Sequence, residues 1–194
     1  MRADLFFVVC LAVAGAVFAA AAALGNDYYF FAGYVVLQYI VLATAWNILG
    51  GYCGYVNFGS AAFFALGAYA AVAVHRLHPL PIPALLLVGG VVSGAVGLAM
   101  GYLTLRLRGA FFAIATLALA VVLETLIINW EYVGGARGAY IVRPEAIAPF
   151  GNYIRYLFLI MMLLAVAAIT LARLIERSRL GYGFATIRDD ELAA

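Results

Sequence analysis

The sequence contains no lysine, and all eleven of its basic residues are arginines. A phosphate-binding loop of the G-x-x-x-x-G-K-[ST] type needs a lysine to reach the phosphates, so the chain is not itself an ATPase of that class. A cofactor held through a lysine Schiff base, such as retinal or pyridoxal phosphate, is excluded for the same reason.

Charged residues of any kind are scarce. They make up 10% of the 194 residues, whereas 68% are hydrophobic and the mean hydropathy is +1.09. A typical soluble domain is about 25% charged and about 45–50% apolar. A chain this apolar cannot cover its surface in water, but in a bilayer its side chains can face outward. We therefore expect an all-α, polytopic transmembrane helical bundle. The net charge of +2, without a basic tract, gives no reason to expect a nucleic-acid partner.

Residues that carry chemistry are equally few. The two cysteines, Cys10 and Cys53, do not form a disulfide framework or a metal motif. There is no G-x-S-x-G or H-E-x-x-H sequence, and His75 and His78 stand at the end of an apolar segment, where we interpret them as interfacial. We expect no enzymatic activity, no metal site and no cofactor.

Six apolar segments approach the length of about 20 residues that a membrane span needs. The third is short or broken, and the first could alternatively be a secretory signal, although we favour a retained span. We divide the chain into a transmembrane domain, residues 1–175, and a cytoplasmic tail, residues 176–194. The predicted spans are Leu5–Leu24, Phe30–Leu49, about Gly59–Val74, Ile82–Leu105, Ala110–Ile128 and about Tyr153–Leu174.

The arginines near the span ends predict the orientation, because cytoplasmic loops carry the excess of basic residues. With the N-terminus inside, two compact groups, 106–108 and 173–179, are cytoplasmic. The long connection Glu131–Asn152 is then external and is a candidate docking surface for an external partner. The cytoplasmic arginines would be Arg2, Arg106, Arg108, Arg173, Arg177, Arg179 and Arg188.

A glycine-rich stretch, Trp46 to Ser60, interrupts the second and third apolar segments. Glycine weakens helices and frees backbone groups, and transporters use such interruptions beside a substrate path near the membrane midplane. The alternative is a plain cytoplasmic turn. The candidate path residues here are Asn47, Gly50, Gly51, Gly54, Asn57, Gly59 and Ser60.

Glu124 is the clearest ionisable residue inside a predicted span. A charge in the bilayer is costly, so we expect it to face the protein interior or water, lining a path or bonding a neighbouring helix. In the fourth span, Gly90 and Gly94, and Gly97 and Gly101, are spaced four apart, which predicts close helix packing rather than chemistry.

The tail can form a short amphipathic helix from Gly183 onward, which is a candidate contact for a soluble partner. It stops at Ala194 without a cap or glycine stop signal, so we expect a fragment of a longer protein. The candidate contact residues are Phe184, Ile187, Arg188, Asp189, Asp190 and Glu191.

Three blocks, residues 45–69, 105–130 and 178–194, resemble the permease subunits of bacterial branched-chain amino-acid ABC importers, the M-type permease in particular. The third block looks like the start of the family's cytoplasmic coupling motif, after which family members continue with further spans. The sequence departs from the family at Cys53 and Asn57, where a small residue and a serine are usual.

The resemblance implies an importer in the bacterial inner membrane, built from two permeases and two ABC ATPase subunits. A periplasmic or lipid-anchored protein would supply the substrate, and ATP on the partner would drive alternating access through the tail helix. Related permeases serve urea, short amides or aromatic acids. A secondary transporter or channel subunit is the other alternative, although such proteins usually carry ionisable residues in several spans.

Overall fold

The computed structural model describes residues 3–23, 25–104, 106–107, 109–139 and 152–189. A π-helical turn, Ile48–Tyr52, continues α2, and two 3-10 turns, Glu131–Val133 and Gly135–Arg137, follow α5. This described part contains no strand, and the all-α prediction is confirmed. The helices are α1 (Ala3–Ala23), α2 (Asp27–Asn47), α3 (Ser60–Leu77), α4 (Ile82–Thr104), α5 (Ala110–Ile128), α6 (Tyr153–Glu176) and α7 (Arg179–Asp189).

Helices α1 to α6 are long and apolar enough to cross a membrane, which confirms the six predicted spans. The second span reaches 26 residues, Asp27–Tyr52, because the π-helical turn extends it. The third, α3, is the shortest at 18 residues and is continuous. The interruption therefore precedes α3, in the non-helical residues 53–59.

The tail helix begins at Arg179, four residues before the predicted start at Gly183. Ser178 explains the difference, because its hydroxyl accepts a hydrogen bond from the Leu180 amide at 3.2 Å and so caps the first turn. Gly181 allows this turn to approach the Glu176 carbonyl, which a side chain at that position would overlap.

The chain divides into two compact units, Met1–Gly54 with Arg143–Ala194, and Tyr55–Val142. In the first unit α2 packs on α6 around three aromatic rings. Phe30 and Phe158 meet edge to face at 5.4 Å between ring centroids, and Phe18 lies 5.7 Å from Phe30. Gly33 makes this close packing possible, because a Cβ there would overlap the Phe158 ring.

The same unit has a polar clasp at the start of α2 and α6. The Asp27 carboxylate accepts hydrogen bonds from Asn152 Nδ2 at 2.7 Å and from Arg155 Nε at 3.2 Å. Asn26 and Asn152 also cap the two helices through their side-chain oxygens. The clasp therefore fixes the ends of two neighbouring helices to each other.

In the second unit α3 and α4 approach through Gly67 and Gly89. A Cβ on Gly89 would lie only 2.7 Å from the Gly67 carbonyl oxygen, and Ser93 Oγ donates to the Phe63 carbonyl at 2.8 Å. Gly90, Gly94 and Gly97 have open space where a side chain would be. Within the described chain the packing glycine of α4 is thus Gly89, and close packing through the other three stays a prediction.

Candidate functional site

The π-helical turn holds two of the glycine-stretch candidates, Gly50 and Gly51, in the first unit, and a third, Asn47, directly precedes it. A Cβ on Gly50 would lie 2.7 Å from the Trp46 ring, and one on Gly51 would overlap the Asn47 side-chain oxygen. The two glycines therefore make room for side chains one turn earlier in the helix. A π turn widens the helix by one residue and occurs often at functional sites.

Gly54 follows this turn by two residues and has a φ of +77°, a backbone conformation that favours glycine. A Cβ on Gly54 would lie 3.0 Å from Arg188 Cγ, so α7 packs directly against this point. Arg188 Nη1 also donates a long hydrogen bond of 3.5 Å to the Gly51 carbonyl. The predicted tail helix and part of the glycine stretch are thus in contact within one unit.

The remaining candidates of the stretch lie in the second unit: Asn57 and Gly59 precede α3, and Ser60 is its first residue. Asn57 Oδ1 accepts from the Gly59 amide at 2.7 Å, which turns the chain into the helix. The Phe58 amide donates to Thr116 Oγ1 at 3.1 Å, and that hydroxyl donates to the Ala113 carbonyl at 2.9 Å. Thr116 therefore ties the entry of α3 to α5.

Thr116 is 3% exposed and was missed by the sequence analysis. A single threonine in an apolar helix carries no distinguishing signal, because its hydroxyl can bond the preceding turn of its own helix. The structural role of Thr116 depends on the approach of the Phe58 amide, which is distant in sequence.

Glu124 lies on α5 and is exposed in this chain. It follows Thr116 by eight residues, or about 12 Å along a helix axis. The structure therefore does not bring Glu124 to the Asn57–Ser60 group.

The coupling candidates fall mostly on α7. Phe184 and Ile187 are half-buried, whereas the Arg188 side chain is exposed. Asp189 is the last residue of the helix, and Asp190 and Glu191 lie outside the described residues.

A cavity of about 380 Å³ in the first unit was also missed. It lies between the start of α1 and the ends of α2 and α6, and Arg173 and Glu176 are its charged lining residues. The Arg173 guanidinium carbon stands 4.1 Å from the centre of the Phe6 ring. An arginine near a span end is expected from topology alone, so the sequence gives no sign of a cavity.

Metal binding finds no support among the described residues, since they contain no group of three or more His, Cys, Asp or Glu side chains placed to hold an ion.

Comparison with known proteins identifies the family. The model of the family described as branched-chain amino acid transport system, permease component, matches residues 28–194. The high-affinity branched-chain amino acid transport system permease protein LivM of Salmonella typhimurium is 28% identical over 184 residues, covering 82% of this chain and 43% of that protein. The Escherichia coli LivM protein is 27% identical over the same length, with the same coverage. The chain thus spans less than half the length of these relatives, and no solved structure matches it. With the family model covering α2 through α7, the chain belongs to the permease-component family of branched-chain amino acid transport systems.

Proposed function

We propose that the chain acts as a transmembrane permease subunit of an ABC importer for branched-chain amino acids. The observation that carries the proposal is the contact of α7 with the π-helical turn, in a chain of a permease family. A helix that lies after the last described span, and packs on a span end, is suited to receive movement from a soluble partner.

In the proposed mechanism, ATP binding and hydrolysis occur on partner ATPase subunits, and this chain performs no chemistry. Movement of α7 is passed through Arg188 to the carbonyl of Gly51 and so to the end of α2. The glycines of the turn allow that end to change its backbone conformation, because they lack side chains that restrict it. The substrate path would include the glycine stretch and Glu124, and it would open alternately to each side.

The assembly we propose contains a second permease, two ATPase subunits and a periplasmic or lipid-anchored substrate-binding protein. It would lie in the bacterial inner membrane with the N-terminus of this chain in the cytoplasm. Arg173 and Arg179, at the end of α6 and the start of α7, support that orientation by the positive-inside rule.

The test is co-expression of the chain with the other subunits of its importer, followed by purification in mild detergent. We expect the ATPase subunit to co-purify, and proteoliposomes of the assembly to take up leucine when ATP is supplied. Replacement of Arg188, Asp189 and Glu191 by alanine should abolish co-purification, whereas Arg179→Ala at the other end of α7 should preserve it.

Absence of the ATPase from the preparation of the unsubstituted chain, as well as from that of the triple alanine variant, would contradict the permease role for this chain. If the assembly forms but urea or an aromatic acid is taken up in place of leucine, the ABC role stands and the amino-acid substrate is wrong.

A further inference from the structure

The cavity of the first unit has the composition of a membrane-interface site. Its walls combine apolar side chains, among them Phe6 and Ile169, with the polar groups of Thr44 and Asn47 and the two charged residues. Phe6 is near the start of the first span, and Glu176 is the last residue of the sixth. The cavity therefore lies at the depth where the apolar part of a bilayer meets its headgroups.

Arg173 and Glu176 lie three residues apart on α6, so they are neighbours on one face of the helix. They form no ion pair with each other among the contacts of the described residues. Arg173 Nε is buried and lacks a hydrogen-bond partner there. A buried donor without a partner is costly, which favours a ligand that supplies an acceptor.

We propose that this cavity binds the headgroup of an aminophospholipid of the phosphatidylethanolamine type. The phosphate would accept from the Arg173 guanidinium, and the primary ammonium would donate to the Glu176 carboxylate. The acyl chains would follow the apolar wall formed by Phe6 and Ile169. Basic pockets between spans near the cytoplasmic face are known to hold lipid headgroups, and here the added carboxylate selects one with an ammonium.

The two charges predict an order among lipids. Phosphatidylcholine shares the phosphate, but its quaternary ammonium has no N–H to donate. Phosphatidylglycerol shares the phosphate and leaves Glu176 without a cation. One hydrogen bond to a charged group corresponds to a preference of about tenfold for phosphatidylethanolamine over either.

The experiment is native mass spectrometry of the full chain, released from nanodiscs that contain equal amounts of the three lipids with identical acyl chains. We expect phosphatidylethanolamine to be retained about tenfold more than the other two. Arg173→Gln should remove retention of all three. Glu176→Gln should keep lipid bound and bring the phosphatidylethanolamine-to-phosphatidylcholine ratio close to one, so the proposal remains testable if Arg173→Gln does not fold.

Matched controls are Arg106→Gln and Glu131→Gln, which remove exposed charges in the second unit and should change nothing. Equal retention of the three lipids by the unsubstituted chain would overturn the proposal. Displacement of the lipid by excess free leucine would also overturn it, because an amino acid carries the same pair of charges. That result would assign the cavity to the substrate route. The inference does not depend on the importer function proposed above.

Discussion

Arg188 Nη1, on the last turn of α7, lies 3.5 Å from the carbonyl oxygen of Gly51 in the π-helical turn that ends the second span. The aliphatic part of the same side chain packs over Gly54. Arg188 of the tail helix thus contacts two glycines that lie three residues apart, Gly51 and Gly54. Its removal should affect the tail helix more than the spans.

For Arg188→Ala we expect faster exchange of the α7 backbone amides. The hydrogen bond is long and exposed, so its loss corresponds to less than about 1 kcal/mol, or up to about a fivefold increase in exchange. Hydrogen–deuterium exchange with mass spectrometry measures this directly. Arg179→Ala, at the opposite end of α7, serves as the control. Equal effects of the two substitutions would contradict a specific role of the Arg188 contact.

Thr116→Val should destabilise the second unit. Valine has the shape of threonine but leaves the Phe58 amide without its acceptor, at a cost of about 1–3 kcal/mol. The unfolding temperature in detergent should fall. Thr116→Ser keeps the hydroxyl and should cost less. If serine is as damaging as valine, packing of the threonine methyl group is the dominant effect and the hydrogen bond is not.

Gly89→Ala and Gly90→Ala form a matched pair on adjacent residues of α4. The first places a methyl group 2.7 Å from the Gly67 carbonyl oxygen and should cost about 1–3 kcal/mol by overpacking. The second enters open space and should leave stability unchanged or slightly raised, because alanine favours helices. Thermal unfolding of both variants in one detergent gives the comparison. If Gly90→Ala lowers the unfolding temperature more than Gly89→Ala does, Gly90 packs against a surface outside this chain.

Cys53 should react slowly with maleimides. The residue is 6% exposed, and burial raises the pKa of the Cys53 thiol above its ordinary value. Because the thiolate is the reactive form, labelling in a Cys10→Ala background should increase with pH and reach half its maximum above about 8.5. A Tyr182→Cys control on the exposed side of α7, in a chain without the two native cysteines, should show the ordinary profile. If Cys53 and the cysteine of the Tyr182→Cys control are labelled by maleimide at similar rates at pH 7, then Cys53 is accessible.

The six spans were predictable from the sequence because bilayer thickness sets a length that apolar composition alone can satisfy. The fifth span was predicted with its observed bounds, Ala110–Ile128. The capped start of the tail helix could have been found, since Ser178 is a good N-cap residue. The predicted start, Gly183, lies four residues after the observed one, Arg179.

The site was less predictable because its features depend on approach between distant segments. Composition pointed to the glycines of residues 50–54 but not to the π turn they form, since inserting one residue leaves the pattern of residue types almost unchanged. The choice between Gly89 and Gly90 depends on which face of α4 meets α3. Arg173 looked like an ordinary positive-inside residue until its neighbours on α1 and α2 were known. The roles assigned to Asn47, Ser60 and Glu124 in a substrate path stay predictions.

The π-helical turn at Ile48–Tyr52 can be regarded as an α-helix with one residue inserted. Everything after the insertion is rotated by about 100° relative to an uninterrupted helix. Deleting one residue from the turn would restore the regular winding and move Tyr52 away from the cavity that it lines. It would also shift Gly54 from its place beneath Arg188. A change of one residue in length would therefore alter the wall of the cavity and the contact with α7 together.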